Sequence, residues 1–128
     1  MTNIKHVGTV IVSVSDQDRA IEFFVGKLGF ELRSDIPYGE GSRWVDVAPP
    51  GADTTIALSP PREGDSISHE GTTAVVAFGT DDVDADHAEL RGKGVDVDDE
   101  VMRMGDPVPP MFFFRDPDGN SFLIVQRA

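Results

Sequence analysis

The chain has 128 residues, no cysteine, and 23 acidic against 11 basic side chains, for a formal charge of −12. Such a charge repels phosphate backbones and anionic bilayers, so neither nucleic acid nor a membrane is an expected partner. A chain without thiols, with no signal-peptide-like apolar segment after Met1-Thr2-Asn3-Ile4-Lys5 and no apolar run near the roughly 20 residues that span a bilayer, is expected in the cytoplasm.

Residues 7 to 14 are rich in Val and Ile and predict a buried strand. Asp16 is placed to cap a helix running to Leu28, with Ala20, Ile21, Phe24 and Leu28 as its apolar stripe and Gly29 as its stop. Residues 30 to 33 and 43 to 48 read as strands around a loop, Ser34 to Ser42. Pro49-Pro50-Gly51-Ala52-Asp53 then turns the chain into the strand Thr54 to Ser59. The polar segment 62 to 71 reads as a connector. Beyond it come an apolar strand, Thr73 to Phe78, and a helix begun by Asp81, striped by Val83, His87 and Leu90 and closed by Gly94. Residues 99 to 110, rich in Pro and Gly, read as an irregular loop. The last hairpin joins Met111 to Arg115 with Asn120 to Val125 through Asp116-Pro117-Asp118-Gly119, which suits a type I turn.

The order strand, helix, three strands thus occurs twice, with Gly following Asp at the same interval in both helices. The expected fold is α+β: two tandem βαβββ modules, residues 4–61 and 72–128 joined by 62–71, within a single domain 1–128. Asp16-Gln17-Asp18-Arg19-Ala20-Ile21-Glu22-Phe23-Phe24 with Leu28-Gly29-Phe30-Glu31, the helix start Asp81-Asp82-Val83-Asp84-Ala85, and Phe114-Arg115-Asp116-Pro117-Asp118-Gly119-Asn120 resemble the vicinal oxygen chelate superfamily. That superfamily includes glyoxalase I, bleomycin-resistance proteins and extradiol dioxygenases. The resemblance spans nearly the whole chain and implies curved mixed sheets around a concave pocket, but it does not choose among activities.

In metal-dependent members of that superfamily, four strands each supply one His or Glu to the concave side. The resemblance puts those positions at Thr9, Ala57, Val75 and Leu123, none of which ligates a divalent cation well, and shifting by one residue along each strand reaches no better donor. Neither metal nor other cofactor is therefore expected. His6, His69 and His87 read as an edge, a loop and a half-buried helix residue. An alternative metal site could draw on Asp46, His69 and Glu70. No phosphate-binding glycine loop accompanies Tyr38-Gly39-Glu40-Gly41-Ser42, and no nucleophile triad is legible, so catalytic residues are not assigned.

If Asp116 and Gly119 close the final turn, Phe112, Phe114, Ser121 and Leu123 share one face, which holds the degenerate ligand position and becomes the pocket floor. A bulge in the turn would exchange the two sets of side chains. Trp44 and Tyr38 lie in or beside the loop that the resemblance makes a pocket wall. Trp44 reads equally as a core residue and Tyr38 as a surface one. Arg43 and Arg115 either orient an anion or form rim ion pairs. The acidic run from Asp81 to Glu100 is either a solvated face or an attractor of cations.

The resemblance then favours metal-independent sequestration of a small aromatic or cationic molecule, as in bleomycin-resistance-like, antibiotic-sequestering members that are acidic homodimers and hold a guest between modules. The alternative is a glyoxalase-like lyase, isomerase or dioxygenase with a displaced metal site, or a metal-independent catalyst using Asp46 or Glu70. The ligand-binding set expected from the sequence is Thr9, Tyr38, Trp44, Ala57, Val75, Phe112, Phe114, Ser121 and Leu123.

Overall fold

The computed structural model describes residues 2–61 and 76–127. The chain divides into two compact units, Met1–Asp65 and Ser66–Ala128, each a four-stranded mixed sheet with one helix. The fold is α+β and two-module, as the sequence implies. Among the described residues no helix is long and apolar enough to cross a membrane.

In the first unit, β1 (Thr9–Ser13) leads into α1 (Gln17–Ile21), and the strands β2 (Glu31–Tyr38), β3 (Ser42–Ala48) and β4 (Thr55–Ser59) follow. Sheet order is β1-β4-β3-β2, with β1 parallel to β4 and the other pairs antiparallel. Asp16 caps α1 as expected, its Oδ1 accepting from Arg19 N at 3.1 Å. Gln17 fastens the first helical turn to the sheet by donating to the Arg43 and Leu58 carbonyls at 3.0 and 2.9 Å. The helix continues as a π-turn, Glu22–Lys27, with Leu28 N bonded to Phe23 O, and ends where Gly29 takes a φ of 76° that only glycine adopts freely. Ala20, Phe23 and Phe24 are buried together with Val12, Val14, Val45, Val47, Ile56 and Leu58, the alternate residues of three strands, and these make the helix-side core.

The second unit repeats this order with β5 (Val76–Thr80), α2 (Val83–Gly92), β6 (Asp96–Val97), β7 (Met111–Arg115) and β8 (Ser121–Gln126), paired β5-β8-β7-β6. Its cap is Asp82 rather than Asp81: Asp82 Oδ1 accepts from Ala85 N at 3.0 Å, while the Asp81 carbonyl accepts from Gln126 Nε2. With Asp82 as the cap, the second helix is one residue shorter than the first between cap and terminal glycine, and the π-turn is where the first absorbs its extra residue.

Two further expectations change. The loop expected from Ser34 to Ser42 is mostly strand, because β2 runs to Tyr38 and β3 starts at Ser42. Only Gly39-Glu40-Gly41 remains as a tip, with both glycines at positive φ. The final hairpin is also shifted by one residue. Arg115 pairs with Ser121, Phe114 with Phe122, Phe113 with Leu123 and Phe112 with Ile124. The turn closes between Asp116 and Asn120, with Asp116 N donating to Asn120 O at 3.0 Å and Gly119 inserted at φ 84°. That is a three-residue loop, a type I turn followed by a left-handed glycine.

Candidate functional site

The register of the first sheet puts two different surfaces back to back. Val45 and Val47 face the helix, so Trp44 and Asp46, on alternate residues of β3, face away from it. Across the strands Asp46 stands beside Ser34 and Ala57, Ala57 beside Ile11, and Trp44 beside Ile36. Tyr38 pairs with Ser42 one step further along, and Thr9 pairs with Thr55 at the other end. Four residues expected from the sequence, Thr9, Tyr38, Trp44 and Ala57, therefore share this open face. Ile11 and Ile36 join them, 65% and 56% exposed. Neither isoleucine was foreseen as a site residue, although the two-residue spacing Thr9, Ile11 and Ile36, Tyr38 carries the signal.

Asp46 is the polar group of this face. It is only 7% exposed. Its Oδ2 accepts from the Trp44 indole N–H at 3.1 Å, and among the described residues no donor reaches its buried Oδ1. The bond links the two side chains along the same strand and orients the Trp44 ring, which stays 39% exposed. Thr9 Oγ1 and Thr55 Oγ1 lie 3.0 Å apart, giving the face a second polar point.

Arg43 and Arg33 of the first unit are committed elsewhere. Arg43 bonds both oxygens of Asp35 at 3.1 and 2.9 Å and reaches Asp18 at 3.0 Å. Hydrogen bonding from Arg43 holds the Asp35 carboxyl below the usual range, and the same bonds hold Arg43 still more firmly protonated. Arg33 binds Glu31 and the Pro49 carbonyl. In the second unit Arg115 pairs with Asp98 at 2.7 Å and Asp96 at 3.5 Å. Both arginines considered for anion binding are thus neutralised by neighbouring acids.

The shifted hairpin corrects the expected aromatic floor. Phe112 and Phe114 lie on the helix side with Phe122 and Ile124, all buried. His87 of α2 meets Phe112 edge-on at 5.0 Å while its Nε2 lies 2.7 Å from the Asp98 carbonyl, and Phe78 stacks on Phe114 and Phe122 at 6.2 and 6.0 Å. Ser121 and Leu123 keep the expected side, and their neighbours there are Met111, Phe113 and Val125, all partly exposed. Val75, His69 and Glu70 lie outside the described residues. Beside α2 the second unit also has an open groove of about 650 Å³, lined by Asp84, His87, Glu100, Val101, Met102 and Arg103, with Arg103 paired to Asp84.

Residues 3–124 match the model of the Glyoxalase/Bleomycin resistance protein/Dioxygenase superfamily. The chain belongs to this superfamily. It is 33% identical over 125 residues to the Bacillus subtilis protein YetH, covering 96% of this chain and 99% of that one. Among solved structures it is similar to TnmS3, an antibiotic binding protein from Streptomyces sp. CB03234, with a TM-score of 0.79, 38% identity and full coverage of both chains. A superfamily member from Sphaerobacter thermophilus matches with a TM-score of 0.82 and 34% identity, covering 97% of this chain and 98% of its own.

Many enzymes of the superfamily use a metal, and the donor set among the described residues does not fit one. Thr9, Ala57 and Leu123 offer no imidazole or carboxylate, and among the described residues no three His, Cys, Asp or Glu side chains come together as a metal site. Asp46 is a single carboxylate, one of whose oxygens is already bonded to an indole.

Proposed function

We propose that the protein binds and sequesters a small aromatic, cationic molecule without transforming it, as an antibiotic-binding member of its superfamily. The observation that carries this reading is the open face of the first sheet. There an indole, a phenol and two exposed isoleucines share a face with one buried carboxylate, with no second acid, histidine or paired base beside it in the register among the described residues. Such a surface offers stacking area and a few polar contacts, which suffices for binding, whereas acid–base or metal-assisted chemistry needs converging groups. The similarity to TnmS3 supports the same reading. Leu123, Ser121 and Phe113 form the equivalent face of the second unit and are proposed as further ligand contacts.

The protein is also proposed to act as a homodimer. The segment before the edge strand β1 leaves Ile4 and Val7 exposed, apolar side chains that a second copy would cover.

Trp44 is the only tryptophan, so its emission reports this face directly. Titration with cationic polycyclic aromatic antibiotics is expected to quench or blue-shift it, and titration with glutathione or coenzyme A conjugates to leave it unchanged. Emission that responds only to the anionic thiol conjugates would overturn the reading.

A further inference from the structure

We propose that Asp46 is the anchor for a positively charged nitrogen on the ligand, and that it selects cationic over neutral aromatic molecules. This rests on the reading that the open face of the first sheet binds a small molecule, and it names the chemistry that face prefers.

Asp46 is more than nine-tenths buried, yet its carboxylate receives one hydrogen bond, from Trp44 to Oδ2. A carboxylate has about four acceptor sites, and leaving a buried one unfilled costs free energy. Oδ1 lacks a partner among the described residues. Neighbouring side chains do not close it: Ala57 across the strand is a methyl group, and Ser34 on the other side does not bond Oδ1. The cations of the first unit nearest in sequence, Arg33 and Arg43, are bonded to Glu31, Asp18 and Asp35. Among the described residues nothing supplies the missing donor, and a group arriving from outside would.

Two features make that group a cation. A buried charge is best offset by an opposite charge that also donates a hydrogen bond, and the chain's charge of −12 concentrates cations around it and excludes anions. Its body should be aromatic, because the indole of Trp44 is held beside the carboxylate with its ring exposed, and the exposed Ile11 and Ile36 extend the apolar surface to either side.

The test compares 9-aminoacridine with acridine by titration calorimetry, at a pH where the first is protonated and the second is neutral. The two share one ring system and differ in charge. The wild-type protein is expected to bind 9-aminoacridine about tenfold or more tightly than acridine. Asp46→Asn is expected to abolish that preference. Equal affinity of the wild-type protein for the two compounds overturns the anchor, whether Asp46 points away from the guest or a second copy of the chain covers it. A preference that survives in Asp46→Asn overturns it as well. Failure to bind either compound, or any cationic antibiotic in the Trp44 titration, overturns the binding reading itself. The wild-type comparison needs no variant, so it decides even if Asp46→Asn does not fold.

Discussion

Phe114 has no exposed surface and stacks on Phe122 at 5.2 Å with the rings 19° from parallel, and Phe78 lies 6.2 Å away. Truncating such a ring removes buried apolar area and leaves a cavity that a close-packed core closes only in part. Phe114→Ala is therefore expected to lower the unfolding free energy by about 3 to 5 kcal/mol in a denaturant titration, with no specific effect on ligand affinity once folded. A loss below about 1 kcal/mol would mean that the residue lies on the open face after all. Residues were legible in the sequence where one local rule acts. Asp16 was readable as a cap because a carboxylate before an apolar stripe has few other uses, and Thr9, Tyr38, Trp44 and Ala57 were brought to one face by their strand positions. Asp46 was visible only as a carboxylate among many. Its burial and its half-satisfied state depend on packing across three strands, which no local pattern encodes.

At the scale of elements, the turn from Asp116 to Asn120 decides which side of the second sheet each phenylalanine faces. The Asp116 carboxylate organises it: Oδ1 accepts from Asp118 N and Asn120 N at 3.0 and 2.8 Å, and Oδ2 from Asn120 Nδ2 at 2.8 Å. Burial pushes the Asp116 carboxyl up from 3.8, against the opposing pull of those hydrogen bonds. A carboxyl that holds its proton more tightly when folded stabilises the fold as pH falls through the window just above 3.8, and loses that contribution as pH rises through its folded value. The stability of the wild-type chain relative to Asp116→Asn is thus expected to improve as pH falls through that window. Chemical denaturation of both proteins across the acid range checks this, and a relative stability that instead declines there would refute it. The sequence predicted a hairpin and a turn at this place, but not the extra residue. Asp-Pro-Asp-Gly fits both a two-residue and a three-residue connection, and only the bonds of Asp116 to Asn120 favour the longer one. The same limit applies to the hairpin of β2 and β3. Its strand residues include Ser, Asp and Pro, which read as loop until cross-strand pairing outweighs their local preference.

For the whole molecule, the repeat carried the most information. Two copies of strand, helix and three strands yield two sheets of the same strand order, and the superfamily match covers 3–124. Function was less legible, since the scaffold hosts several chemistries and the residues that choose among them are few. What distinguishes this chain is a face with aromatic and aliphatic surface, one incompletely bonded carboxylate, and no assembled set of metal ligands among the described residues. Native mass spectrometry, after incubation with a cationic polycyclic aromatic antibiotic, tests this account most directly because it reads the assembly and the fate of the compound together. The account predicts a two-chain complex that releases the compound at its original mass when denatured. Protein free of ligand at every concentration, or a compound recovered with altered mass, would contradict it.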